Sequence, residues 1–333
     1  MLTYPVRLAT FNMESFGETR FQPDALTDRI AALRPILANI DADILCLQEM
    51  NAQKIHGSGG PREFLSLDLL LQGTAYQDFH RAFSLRADGQ GPRDRHNLLT
   101  LSRFPIDQAR SLWHSHVDPP AWNARTDRPE IDRAEPITWD RPILHTVITL
   151  PDNRTLDVFN LHLRAPIAAP IAGQKLTANQ WRSTRGWAEG FFLSAVKRAG
   201  QALELRQAVD DTFQSHDRPF IALAGDFNAD LDSAAIRIAK ADAEDTGNPS
   251  LAEQTLYDLI EKVPRDQRYT ILHHGMPRVI DHILVSEALQ QCATNFEILN
   301  HALPDEVDFQ PDKSVQTSFH APVLADFTLP AGT

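Results

Sequence analysis

The chain has 333 residues, a net charge of −12 and 42% hydrophobic residues, the make-up of a globular protein long enough to bury a sizeable core. That charge excludes a basic footprint over the whole surface, so any polyanion must meet a local cationic patch or bridging cations. Two cysteines, Cys46 and Cys292, exclude a disulfide framework.

The N-terminus runs directly into a strand pattern with no signal-peptide profile, and no apolar run reaches transmembrane length. A cytoplasmic protein without stable membrane insertion is therefore expected. Residues 6–11 read as a short strand with Asn12 at its end, and residues 17–23 as a loop. Residues 24–40 carry Leu26, Ile30, Leu33 and Leu37 at helical spacing, with Pro35 expected to kink or shorten the helix. Residues 43–49 read as a buried strand ending in Glu49, and Cys46 within it as a small core residue. A glycine-rich loop at 55–61 and a helix at 61–71 follow. Residues 76–83 read as a strand, 87–95 as a polar loop, and 96–106 as a strand and turn.

Residues 113–142 hold prolines, several arginines and Trp113, Trp122 and Trp139; loops this long are usually functional or mobile. Residues 143–150 and 155–161 read as strands about a Pro151-Asp152-Asn153 turn, with His162 at the exit. Residues 164–187 carry alanines, prolines, Lys175, Arg182 and Arg185. Residues 191–213 read as a long helix with the stripe Phe192, Val196, Leu203 and Val209.

The run Ile221-Ala222-Leu223-Ala224 then meets Gly225, Asp226, Phe227 and Asn228. It reads as a buried strand whose exit is polar, the place where a rigid element can hold a functional side chain. Asp226 and Asn228, two apart, project to one side of an extended chain. They offer acceptors to a metal or water and donors to a phosphate oxygen; the plainer alternative is an Asx-turn closing a strand. Residues 231–241 and 251–263 read as helical. Residues 268–272, 278–285 (containing Asp281) and 294–299 read as strands. A polar loop at 301–317 precedes His320 and a closing strand at 322–329. Strand patterns cluster between 76 and 163 with no helix among them, which favours a sheet-rich architecture over repeated βαβ units.

Asn12, Glu49, His162, Asp226 with Asn228, Asp281 and His320 each fall within, at the end of, or just before an apolar strand. Each alone has a structural reading: turn former, helix cap, satisfied core imidazole. Together their chemistry suits phosphate ester hydrolysis. That reaction needs a cation on the phosphate oxygens, a positioned water and a proton for the leaving oxygen. Magnesium takes oxygen ligands and keeps several waters. Glu49 is the first choice of ligand, Asn12 joins through its amide oxygen or a bound water, and Asp281 or Asp226 completes the shell.

The segments ATFNM (9–13), DILCLQEM (43–50), LLTLSRFPI (98–106), FNLHLR (159–164), GDFNAD (225–230), IDHILVS (280–286) and SFHAPV (318–323) occur in an order that resembles the endonuclease/exonuclease/phosphatase superfamily. The resemblance spans almost the whole chain. It implies one domain over residues 1–333, an α+β four-layer α/β/β/α sandwich of two mostly antiparallel sheets flanked by helices. It also implies a divalent-metal-dependent phosphoester hydrolase, with magnesium or alternatively manganese. By the same resemblance Asp226 orients or deprotonates the attacking water and Asn228 fixes that water or the phosphate. His162 donates to a non-bridging oxygen, and Asp281 with His320 forms an Asp–His pair. The family's closing motif is usually Ser-Asp-His, and Phe319 stands in the aspartate's place, which puts the ligand set in question.

Substrate choice rests on loops. Asn97, with His96, precedes a segment where family members often carry a substrate-contacting polar residue. The cationic stretch beginning at Arg164 is placed to grip phosphates, and Trp181 and Trp187 to stack bases. Arg125, Arg128, Arg133 and Arg141 of 113–142 are placed to do the same; alternatively, they pair with nearby carboxylates on a solvated surface. The expected substrate is nucleic acid or a small phosphodiester, with no obligate protein partner. A phosphatase or lipid phosphodiesterase is the alternative within the family, and a non-catalytic binding module is the alternative outside catalysis.

Overall fold

The structure, a computed structural model, describes residues 3–17, 23–54, 60–130, 132–307 and 317–331. Two six-stranded sheets carry the architecture. The first contains β1 (Thr3–Phe16), β2 (Ile44–Met50), β3 (His80–Phe83) and β4 (Asn97–Ser102), and later in the chain β11 (Ala293–Ile298) and β12 (Val323–Pro330). Its order is β11-β12-β1-β2-β4-β3. The second contains β5 (Ile106–Leu112), β6 (Ile143–Thr149), β7 (Thr155–His162), β8 (Phe220–Asp226), β9 (Tyr257–Asp258) and β10 (Asp281–Val285), in the order β9-β10-β8-β7-β6-β5. In each sheet one central pair is parallel, β1 with β2 and β7 with β8, and the other pairings are antiparallel.

Strand alternation sorts the side chains into three apolar layers. Val6, Leu8, Ile44 and Cys46 of the first sheet meet Leu156, Val158, Ala222, Ala224, Ile283 and Val285 of the second between the sheets. The opposite face of the first sheet, with Ala9, Phe11, Leu45 and Leu47, takes Leu33 and Leu37 of α1 (Pro23–Ile40) and Leu67, Leu70 and Leu71 of α2 (Leu65–Leu71). The outer face of the second sheet, with Phe159, Leu161, Ile221 and Leu223, is covered by Ala202, Leu205 and Val209 of α3 (Thr184–Ser215) and by Ile236 of α4 (Ala234–Lys240). The result is the expected α/β/β/α sandwich, and β8, buried at every position, reads as an unbroken apolar run for that reason.

A polar bridge crosses the layer between the sheets. Gln48 Nε2 donates to Asn160 Oδ1 at 2.8 Å, and Asn160 Nδ2 donates to the Leu47 and Leu99 carbonyls at 3.2 and 3.0 Å. Both side chains are fully buried. Buried amides satisfied in this way specify one alignment of the layers.

Several elements differ from the sequence reading. Pro35 lies inside α1 without ending it. The strand expected at 76–83 is shortened to β3, because Tyr76 is buried in a turn with its hydroxyl accepting from the Ala42 N–H at 2.8 Å. Residues 251–263 are not one helix but two 3-10 turns, Pro249–Gln254 and Leu259–Lys262, on either side of β9. α3 starts at Thr184, where Ser183 Oγ caps the Gly186 N–H at 3.0 Å. Of the stripe assigned to that helix, Val209 is buried but Phe192 and Leu203 are exposed. The face that packs is made of smaller groups: Gly186, Gly190, Ser194, Ala202 and Ala208 beside Leu205 and Val209.

The long loop after Trp113 is held down by two carboxylates of α3. Glu204, fully buried, accepts from the backbone N–H groups of Ser115 (2.6 Å), His116 and Val117 (2.9 Å). Glu189 accepts from Trp122 Nε1 (3.0 Å), Arg125 N (2.7 Å) and Thr126 N (3.0 Å). The Trp139 ring lies against Gly200, where a Cβ would strike it. Within the loop, Ala121–Trp122 pairs with Glu135–Pro136. No described helix is long and apolar enough to cross a membrane.

Candidate active site

The polar exits of both sheets converge at one rim. β1 brings Asn12 to it and then bends. Its register with β2 shifts between Asn12 and Phe16, and Glu14 and Ser15 adopt φ of +46° and +51°. Glu49 near the end of β2 has φ +59° and Asn228 just after β8 has φ +50°. Non-glycine residues in this region are uncommon, and several at one rim mark a site where geometry is imposed. Gly225 is required by packing: a Cβ there would run into the Leu161 carbonyl of the adjacent strand β7.

Asp226 is the hub. Its carboxylate accepts from Asn12 Nδ2 (3.1 Å), Asn228 N (2.8 Å) and Asn228 Nδ2 (3.2 Å), and His162 Nε2 stands 3.2 Å from it. Burial, and next the neighbouring charge of Asp281, push its pKa up to about 7. Glu49 accepts from Ser15 N (2.9 Å) and Ser15 Oγ (3.2 Å), with His96 Nδ1 at 3.5 Å and His162 Nε2 at 3.8 Å. Burial alone would raise the Glu49 carboxyl. The His96 imidazole at 3.5 Å, and Arg141 farther off, outweigh burial and hold the group well below the usual carboxylate range.

The two histidines differ in charge. His162 is buried, and burial and then Arg141 push it well below the ordinary imidazole value, so it is neutral; its Nδ1 is buried without a hydrogen-bond partner. For His320, burial works against the charge but Asp281 prevails, joined by Asp226 and Glu14, and the imidazole is held well above its ordinary value. Its Nδ1 lies 2.9 Å from Asp281 Oδ2 and its Nε2 3.6 Å from Glu14 Oε1. Ser318 secures the turn: its Oγ donates to the Asn12 carbonyl at 2.7 Å and accepts the His320 N–H at 3.0 Å.

The seven residues Asn12, Glu49, His162, Asp226, Asn228, Asp281 and His320 are thus brought together. Asn97 is not. Its side chain is fully buried and spent on the backbone, donating to the Met50 and Arg93 carbonyls at 2.8 and 2.9 Å and accepting from Arg93 N at 2.8 Å. It braces the chain behind Glu49 and does not face a substrate. Arg164 borders the site, but its guanidinium is committed to Asp140 (3.0 Å), Ser194 Oγ and the Ile167 carbonyl. His282 is fully buried and bonded to Asp258 and the Ala229 carbonyl.

Two site residues were not singled out from the sequence. Glu14 follows Asn12 at the i+2 spacing that keeps a strand residue on the same side, the one signal that pointed to it. Arg141 lies next to Asp140 in a segment with many arginines, and only the structure separates it from the rest: its Nη1 reaches the Leu163 carbonyl at 3.3 Å beneath His162.

The donors suit a hard cation. Glu14, Glu49, Asp226 and Asp281 concentrate carboxylate oxygens where oxygen-seeking ions bind, and carboxylate oxygens of Asp226 and Asp281 lie within 4.8 Å of one another. Asn12 contributes less than expected, because its Oδ1 already accepts from Glu14 N at 3.0 Å and its amide nitrogen faces Asp226.

Two sheets face to face, helices outside, and carboxylates with imidazoles at a shared rim define an α/β/β/α sandwich with a polar site at one edge. A model of the endonuclease/exonuclease/phosphatase family matches residues 9–298, and the chain belongs to that family. Solved structures share the fold at low identity. A 3′ phosphatase from Neisseria bound to product DNA hairpin aligns with 17% identity and a TM-score of 0.53 over 97% of this chain and 99% of its own. Caenorhabditis elegans TDP2 aligns with 13% identity and 0.55 over 97% of both chains. A Bacteroides thetaiotaomicron mannosyl-6-phosphatase aligns with 16% and 0.56 over 96% and 98%. No curated protein matches the chain.

Proposed function

We propose that residues 1–333 act as one domain, a divalent-metal-dependent hydrolase of phosphodiesters, with nucleic acid or a small phosphodiester as substrate. The observation that carries the reading is the convergence on Asp226 of groups from both sheets, Asn12 on one side and His162, Asn228 and Asp281 on the other.

Magnesium or manganese would be held by Glu49, with Glu14 and Asn12 beside it, and would neutralise charge on the phosphate oxygens. The protein's own groups divide the remaining work. Asp226, fixed by Asn12 and Asn228, orients the attacking water and takes its proton; a carboxylate with a pKa near neutrality is well matched to that task. His162 is neutral and presents Nε2 to the same centre, a donor for a non-bridging oxygen. Asp281 keeps His320 protonated, and the imidazolium meets the negative charge that builds as the leaving oxygen departs. Phe319 offers no ligand, so the carboxylate usually found there is not part of this set.

The test is hydrolysis of plasmid DNA, bis-p-nitrophenyl phosphate and a phosphomonoester, each with magnesium, manganese or EDTA and with His162→Ala as blank. Metal-dependent cleavage of DNA and the diester is expected. Activity on the monoester alone would place the chain with the phosphatases, and silence on all three would overturn the hydrolase reading.

A further inference from the structure

We propose that the face formed by residues 167–192 is a docking surface for an anionic lipid bilayer. The first observation is charge. Between Asp157 and Glu189 there is no acidic residue, in a chain that holds 44 of them, while Arg164, Lys175, Arg182 and Arg185 lie within the same stretch. Arg182 and Arg185 are exposed, as are Arg125 and Arg128 of the neighbouring loop, and none of the four pairs with a carboxylate among the described residues.

The second observation is the apolar surface set among those cations. Ile167 is 69% exposed, Leu176 49%, Trp187 47% and Phe192 44%. Exposed apolar side chains in a stretch that carries arginine and lysine and no acidic residue before Glu189 have the composition of an interfacial membrane segment. Single-stranded nucleic acid fits it less well. The most exposed groups are aliphatic and cannot stack on a base. The aromatic rings already pack on a neighbour: Trp187 stacks on Phe191 with centroids 5.4 Å apart, Trp122 packs on Phe192 at 4.8 Å, and Lys175 covers Trp181 at 4.5 Å.

The surface adjoins the site. Arg164, two residues beyond His162, donates from Nη2 to the Ile167 carbonyl at 3.2 Å. A bilayer seated on this face would therefore lie beside the catalytic rim, whatever ester is cleaved there.

The experiment is co-sedimentation of the full chain with phosphatidylcholine vesicles, with and without phosphatidylglycerol. Binding to the anionic vesicles that weakens at high salt is expected. Ile167→Glu combined with Leu176→Glu should lower partitioning about tenfold or more, with an unchanged thermal midpoint showing that the variant folds. Arg182→Gln with Arg185→Gln should weaken binding to anionic vesicles only. No sedimentation with anionic vesicles, or sedimentation untouched by the glutamate pair, would overturn the proposal. So would tighter binding to oligothymidylate, followed by fluorescence anisotropy, than to the vesicles.

Discussion

Asp226 concentrates the chemistry, and its surroundings make two demands that can be measured. Under the proposed role of placing and deprotonating water, it should tolerate Asp226→Asn in binding but not in turnover. A loss of ~10²–10⁴-fold in kcat with KM little changed is the expected outcome in steady-state kinetics. Its raised pKa also carries a stability cost of definite sign. In the unfolded chain an aspartate ionises near ~4; here it retains its proton up to about 7. The folded state binds the proton more tightly, so this group's contribution falls as pH rises through that window and is lowest above 7. In EDTA, thermal midpoints of the wild type should therefore drop between pH 5 and pH 8 more steeply than those of Asp226→Asn. Parallel curves would show that the raised pKa is not felt. At this scale the sequence was readable wherever a polar residue ended an apolar strand, which is how all seven convergent residues were found. It misled at Asn97, whose neighbours in the chain suggested a substrate contact while its amide is consumed by backbone groups. It was silent at Arg141, because nothing in a run of loop arginines tells which one tucks beneath His162.

Elements show where local pattern loses to tertiary context. α3 was recognised as a helix, but its packing face was not. Large side chains such as Phe192 and Leu203 point outward, while glycines, a serine and alanines lie against the sheet and loop. Small residues permit close approach, and they carry almost no hydrophobic signal in a sequence. The loop between β5 and β6 read as functional or mobile, and what holds it was hidden for a related reason. Its order comes from Glu189 and Glu204, more than fifty residues further along the chain, accepting its backbone N–H groups. Glu204→Ala would leave three backbone donors without their partner, at about 1–3 kcal/mol for each group that water cannot reach. The expected result is a lowered urea midpoint and new proteolytic cleavage near residues 113–117. Loss of stability with an unchanged cleavage map would show that Glu204 does not hold the loop.

At the scale of the whole molecule, an excess of carboxylates at the rim leaves the metal-free protein with charge that a divalent ion can relieve. An ion bound only by the folded state stabilises it by mass action, roughly 2.7 kcal/mol at a hundred times its dissociation constant. Magnesium or manganese should therefore raise the thermal midpoint, and Glu49→Gln should blunt the rise independently of any assay of turnover. The sandwich itself came from the family resemblance carried by the ordered motifs; the strand patterns alone gave only a sheet-rich architecture. The bridge from Gln48 to Asn160 was not legible, because two buried amides far apart in sequence announce nothing until the sheets are stacked.

That bridge also governs how the protein should fail. The groups of the proposed site are divided between two sheets that meet across an apolar layer, and the amide pair is a polar peg between them. Reacting groups must be placed to within a fraction of an ångström, whereas strands survive much larger slippage. Rising urea, or Asn160→Ala, should thus extinguish hydrolysis while far-ultraviolet circular dichroism is still native, so that catalysis reports the alignment of the sheets before their unfolding.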